Sequence, residues 1–169
     1  MTKPELVRLE DDGTFPNSVL PLLLYRGAVP GGAEAIEALF GRNGWPPAWR
    51  SAVATYHHYH STTHECLGVA AGDATIRFGG PQGQSVAVAP GDVVVIPAGV
   101  AHMQESASAD FMMVGGYPAG APQWDMLRGT PGERPAADAT IAAVPLPPSD
   151  PVTGPDGALP ELWQAAGAA

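Results

Sequence analysis

Residues 57–65, His-His-Tyr-His-Ser-Thr-Thr-His-Glu, and residues 91–102, Gly-Asp-Val-Val-Val-Ile-Pro-Ala-Gly-Val-Ala-His, confine all five histidines of the chain to two short stretches. The second is an apolar run of strand length bounded by Pro90-Gly91 and Pro97-Ala98-Gly99, a strand held between two turns. In the first, His58 and His60 stand two apart. On a strand that spacing puts both imidazoles on one face, as a chelating pair requires, whereas adjacent residues point oppositely. Glu65 adds a carboxylate from the next strand, and His102 follows just beyond the second turn. Three imidazoles and a carboxylate form a mixed N/O shell suited to one divalent transition metal such as Fe, Mn, Ni or Zn.

The rest of the chain reads as short strands cut by turns. Gly and Pro, 21 and 19 of them, are spread throughout instead of marking one linker. Strands are expected at about 19–25 (kinked at Pro21), 52–60, 65–71, 74–79, 84–89, 92–96, 101–106 and 110–117. Residues 32–42 read as a helix, with Glu34 and Glu37 near its positive end and Asn43-Gly44 as its stop. After Tyr117-Pro118 the chain becomes loop-like. One more strand is expected at 141–146 and a short helix at 160–166. Neither an internal repeat nor a second domain is evident, so residues 1–169 are expected to form one domain with a barrel core at about 52–117.

The two histidine segments resemble the paired motifs of the cupin superfamily. His58, His60, Glu65 and Gly72 fall in the register of the first motif, with Ala52 where glycine is usual. Gly91, Pro97, Gly99 and His102 match the second, with Ser106 where asparagine is usual. Neither departure touches a ligand position. A wider likeness to single-domain bacterial metal-binding cupins runs through Leu20–Arg26, Asn43-Gly44-Trp45 and Trp49-Arg50. The resemblance implies a mainly all-β double-stranded β-helix barrel (jelly roll) that binds a metal inside through His58, His60, Glu65 and His102. It also implies a homodimer, since small cupins commonly pair through an edge strand or an outer sheet face.

Strand parity sorts the neighbours of the ligands. His57 precedes His58 and turns to the opposite face. His64 precedes Glu65; it turns away too, unless the Ser61–Thr63 turn shifts the register and lets it hydrogen-bond a ligand from behind. Tyr56 and Gln104 face inward, two residues from His58 and His102. Tyr56 is a candidate acid or hydrogen-bond donor and Gln104 a candidate substrate-orienting amide, each with the alternative of a satisfied core polar group. Arg77 either pairs with a substrate carboxylate or faces solvent. Trp45, Trp49 and Tyr25 either wall the pocket mouth or, as aromatic residues before a barrel more often do, cover its open end. Cys66, the only cysteine, excludes an intramolecular disulfide and reads as a buried small apolar residue.

Charge and length bound the function. A net charge of −9 without a basic cluster argues against nucleic acid as a partner. No apolar run approaches the roughly 20 residues that span a bilayer, and the N-terminus lacks a secretory pattern, so a cytoplasmic protein without membrane contact is expected. Four protein ligands leave open positions on a six-coordinate metal, the mark of a catalytic rather than a structural site. The expected function is a metal-dependent enzyme, of oxygenase or isomerase type, acting on a small oxygen-rich metabolite. Glu65 would serve as ligand and possible base. The alternative is a non-catalytic small-molecule binding or sensing protein, because fold alone does not choose between them.

Overall fold

Val93-Val94-Val95-Ile96 and Leu22-Leu23-Leu24-Tyr25 are apolar at every position, so each strand must bury both of its faces. A computed structural model, which describes residues 2–169, shows how. Among the described residues nine strands form two antiparallel sheets. The larger contains β1 (Glu5–Leu9), β2 (Ser18–Tyr25), β3 (Pro47–Ser51), β4 (Glu65–Ala71), β7 (Val93–Ile96) and β9 (Met112–Gly116), in the order β1-β2-β7-β4-β9-β3. The smaller contains β5 (Ala74–Phe78), β6 (Gln84–Val88) and β8 (His102–Ala107), in the order β6-β5-β8.

Alternate residues of the larger sheet serve two cores. Leu22, Leu24, Leu67, Val69, Val94 and Ile96 face the smaller sheet and pack on Ile76, Phe78 and Val86. Leu23, Tyr25, Cys66, Val93 and Val95 face outward, beneath α1 (Gly32–Arg42) and α3 (Ala158–Gly167), against Ile36, Phe40, Leu159 and Trp163. The outer layer of helices is why these strands do not alternate apolar with polar. Cys66 is free and buried in that layer, on the face opposite Glu65. Among the described residues no helix is long and apolar enough to cross a membrane.

The two-sheet jelly-roll architecture, α1, α3 and the strands between residues 65 and 117 agree with the sequence reading. Three elements differ. The strand expected at 52–60 lies earlier, at Pro47–Ser51; residues 52–60 instead run irregularly beside β8, through Gln104 N–H to Ala54 O and the His58–His102 bridge. β1 was not expected. The strand expected at 141–146 is absent, because α2 (Ala136–Ala142) occupies the alanine-rich start and prolines 145, 147 and 148 deny the rest ladder hydrogen bonds.

Candidate metal centre

Backbone pairing brings the four expected ligands together. His58 and His102 exchange both backbone hydrogen bonds of an antiparallel bridge, N–H to O at 3.3 and 2.9 Å. His60 is tied to the second turn by Gly99 N–H donating to its carbonyl at 2.8 Å. Gly99 sits at φ +94°, a conformation that L side chains rarely adopt, and this turn delivers His102 to the site. Glu65 opens β4 opposite Ile96 of β7. Asn17 fastens the same corner: its amide donates to Glu10 O and Gly79 O, and its Oδ1 accepts from Ala101 N–H at 3.1 Å.

The imidazole orientations are determined by partners that can only accept. His58 Nδ1 lies 3.1 Å from Tyr56 O, His102 Nδ1 lies 3.0 Å from Val100 O, and His60 Nδ1 meets Asp125 O. A carbonyl has no proton to give, so each Nδ1 carries a hydrogen, and in the neutral ring Nε2 is the nitrogen left free to bind a metal. Such backing is typical of metal-binding histidines. The three residues are buried and offer ring nitrogens within 4.8 Å of one another.

Glu65 completes the cluster. Its Oε2 stands 3.2 Å from Nε2 of both His60 and His102 and is buried without a hydrogen-bond partner. Donor atoms bonded to a common ion at about 2.0–2.1 Å are separated by about 3.0 Å (octahedral neighbours) to 3.4 Å (tetrahedral). Converging lone pairs at that spacing fit a cation between them. The electrostatics agree. Burial and the neighbouring His102 hold His58 down to about 3. At His60 burial also opposes the charged form, but the Glu65 carboxylate outweighs it and raises the pKa. Burial works against Glu65 as well, yet the His60 and His102 rings keep its carboxyl far below the usual range. The cluster is a site for positive charge, and the buried histidine triad supports one divalent metal ion.

The other Glu65 oxygen is taken. Tyr117 donates its hydroxyl to Oε1 at 3.0 Å and accepts from Trp49 Nε1 at 3.0 Å. Burial and the Glu65 charge push the Tyr117 phenol upward, so it remains a donor. Gly115 makes this possible, since a Cβ there would collide with the Trp49 indole. Trp49, Tyr117, Trp124, Met126 and Tyr56 wall a cavity of about 590 Å³ with the four ligands at its base.

The segment at 123–127, read from the sequence only as loop, forms one side of the mouth. It pairs with Tyr59 through Leu127, in both directions at 2.9 Å. The Asp125 carboxylate accepts from the Ser61 hydroxyl, from Ser61 N–H at 2.7 Å and from Thr62 N–H at 3.3 Å. Burial opposes its charge, but the Ser61 and Thr62 donors outweigh that and lower its pKa. Asp125 thus holds the turn between His60 and Glu65 while its own carbonyl orients His60. Asp125→Ala is expected to weaken metal affinity about 10- to 100-fold, the usual cost of removing a ligand's support, with the fold intact by circular dichroism. Unchanged affinity in a competition titration would remove Asp125 from the site.

Other expected site residues lie elsewhere. Tyr56 lines the cavity at its rim, its hydroxyl on Met126 Sδ at 3.3 Å and the Arg128 guanidinium 3.7 Å above its ring. The phenol beside the ligands belongs to Tyr117. Gln104 shares the inward parity of His102, but its Oε1 accepts from Val53 N–H and it does not line the cavity. Arg77 alternates with inward Ile76 and Phe78; it therefore lies on the outer face and pairs with Glu105 at 2.6 Å. His64 does not support a ligand. Parity carries it to the helix-covered face, where its Nδ1 accepts from Ala98 N–H, its Nε2 meets Pro145 O, and Trp163 packs on it. Burial holds it down to about 4. His57 turns toward the Phe15 ring, away from the centre. Of Trp45, Trp49 and Tyr25 only Trp49 lines the cavity; Tyr25 and Trp45 are buried in the outer layer.

Comparison with known proteins agrees with this geometry. A family model described as Cupin matches residues 56–123, the stretch that holds every proposed ligand. Over 154 residues the chain is 44% identical to the Bacillus subtilis (strain 168) protein named "Uncharacterized protein YjlB", covering 90% of this chain and 92% of that one. The chain is a cupin. Among solved structures, this cupin is similar to a DUF861 family protein from Thermotoga maritima, with 19% identity and a TM-score of 0.31 over 42% of this chain and 75% of that one. It is also similar to Streptomyces albus HEPD with 2-hydroxyethylphosphonate and Fe(II) bound, at 14% identity and a TM-score of 0.31 over 76% of this chain. It spans 22% of that longer protein.

Tyr117, Trp124, Asp125 and Met126 escaped the sequence reading. Tyr117 reaches the site through strand register: β4 and β9 pair Cys66 with Gly116, so the next step sets Tyr117 beside Glu65. The contribution of 123–127 has no local sequence signal, since it rests on contacts made far along the chain.

Proposed function

We propose that this cupin is a metal-dependent enzyme, of oxygenase or isomerase type, that acts on a small oxygen-rich metabolite. His58, His60, His102 and Glu65 hold one divalent ion in this reading. The observation that carries it is the convergence of three imidazole Nε2 lone pairs and the unpartnered Glu65 Oε2 at the base of a substrate-sized cavity. When bound, such an ion supplies Lewis-acid polarisation of a substrate oxygen or, if redox-active, a place to activate O2. The residues around it set the conditions. Backbone carbonyls fix the three rings, and Tyr117 restrains Glu65 to one free oxygen. Trp49 and Trp124 narrow the space from which water can reach the centre. A homodimer formed along an exposed edge of the larger sheet, in the cytoplasm, completes the proposal, and sedimentation equilibrium tests the dimer.

The test is anaerobic loading of metal-free protein with Fe(II), Mn, Ni or Zn in parallel, followed by elemental analysis and O2-electrode traces with 2-hydroxy acids, 2-keto acids and catechols. One ion per chain is expected. Oxygen uptake by the Fe(II) form only when an organic substrate is present selects the oxygenase. Turnover with Mn, Ni or Zn and no oxygen uptake selects the isomerase. No stoichiometric metal under any loading overturns the reading.

A further inference from the structure

The cavity above the four ligands contains no lysine or arginine among its lining residues. Arg50 and Arg77 are committed elsewhere, to Glu37 at 2.7 Å and to Glu105 at 2.6 Å. Arg128 lies over the outer aromatic, Tyr56, and does not line the cavity. In place of cations the walls carry Trp49, Leu67, Met126 and the stacked pair Tyr117 and Trp124, whose rings lie 4.8 Å apart at 9°.

Charge balance then restricts what fits. Three neutral imidazoles and one carboxylate around a divalent ion leave a single net positive charge, which one negative charge on the ligand answers. A second anionic group would be buried against apolar walls with no cation to meet it, at a large desolvation cost. The protein's overall charge of −9 adds to that refusal. An aromatic or aliphatic body, by contrast, gains from burial against the indoles and the thioether.

We infer that, within the metal reading above, the substrate is a monoanion with two adjacent oxygen donors on a planar or otherwise apolar body, and that phosphorylated metabolites are excluded. Trp124 and Trp49 select that body. Three 2-hydroxy acids present the same donors on different bodies: mandelate (phenyl), lactate (methyl) and 3-phosphoglycerate (phosphomethyl).

The experiment is calorimetric titration of Ni(II)-loaded protein with each. Mandelate is expected to bind about tenfold or more tightly than lactate, and 3-phosphoglycerate more weakly than lactate. Trp124→Ala is expected to bring mandelate to within about threefold of lactate while Ni(II) stoichiometry stays at one, and Trp124→Phe to keep most of the preference. Equal affinity for mandelate and lactate in the wild-type protein overturns the inference and leaves the metal reading standing. Tighter binding of 3-phosphoglycerate also overturns it and assigns Arg128 an anion-receiving role. Failure to take up Ni(II) or any other ion overturns both, and is distinguished by elemental analysis before any titration begins.

Discussion

His102→Ala is expected to abolish metal binding and to leave the barrel folded. The imidazole is one of four donors, buried, and oriented by Val100 O. Its removal takes away a bond and leaves Glu65 Oε2 facing a single histidine. The expected loss of affinity exceeds the roughly 100-fold seen when only a ligand's supporting partner is lost, so occupancy at equimolar metal falls to background. Stability of the metal-free protein changes little, on the order of 1–2 kcal/mol, because the vacated space opens into the cavity, where water can enter. His58→Ala should behave alike. His57→Ala is the control: one position from a ligand, it leaves metal content unchanged. Elemental analysis and urea denaturation of the three variants decide the matter. Stoichiometric metal in the His102 variant, or its loss in the His57 variant alone, would refute the ligand assignment.

That control shows what made the centre legible from the sequence. Period-two alternation assigns His57 and His58 to opposite sides, and the likeness of Gly91, Pro97, Gly99 and His102 to the second cupin motif implies that His102 joins the site. Both are local signals, and both operate on residues close in sequence. α1 was legible for the same reason, down to its ends at Gly32 and Arg42. Parity also placed Gln104 on the inner face, but it is silent about distance along the barrel. Gln104 therefore points inward without reaching the cavity. His64 obeys parity despite the Ser61–Thr63 turn, because Asp125 holds that turn in a single conformation. The illegible parts are the long-range ones. Tyr117 reaches Glu65 through strand register, and Asp125 reaches Ser61 across a separation that no periodic pattern records.

Asp150 is the extreme case of a contact without a local signal, and its removal should cost the most stability of any single change considered. It lies in a proline-rich stretch that reads as loop, yet it is fully buried. Its carboxylate accepts from the Tyr25 hydroxyl and from the N–H groups of Val152, Thr153 and Leu159. The last of these caps α3. Gly157 at the helix N-cap has no side chain to do so, and Asp150 supplies both the acceptor and the negative charge favoured at that end. One residue therefore joins β2, the 150–154 turn and the helix that seats Trp163 beneath the sheet. Asp150→Ala leaves the buried Tyr25 phenol and Leu159 N–H, and the half-buried N–H groups of Val152 and Thr153, without their acceptor, for an expected loss on the order of 3–5 kcal/mol. Tyr25→Phe, which leaves the carboxylate its three backbone donors, should cost about 1–2 kcal/mol. In the double variant the two losses should fall short of their sum, since the phenol that Asp150→Ala strands is already gone. Urea unfolding of the wild type, both single variants and the double variant measures all of this. A loss below 1 kcal/mol for Asp150→Ala would mean that the C-terminal helix is held by its apolar face alone.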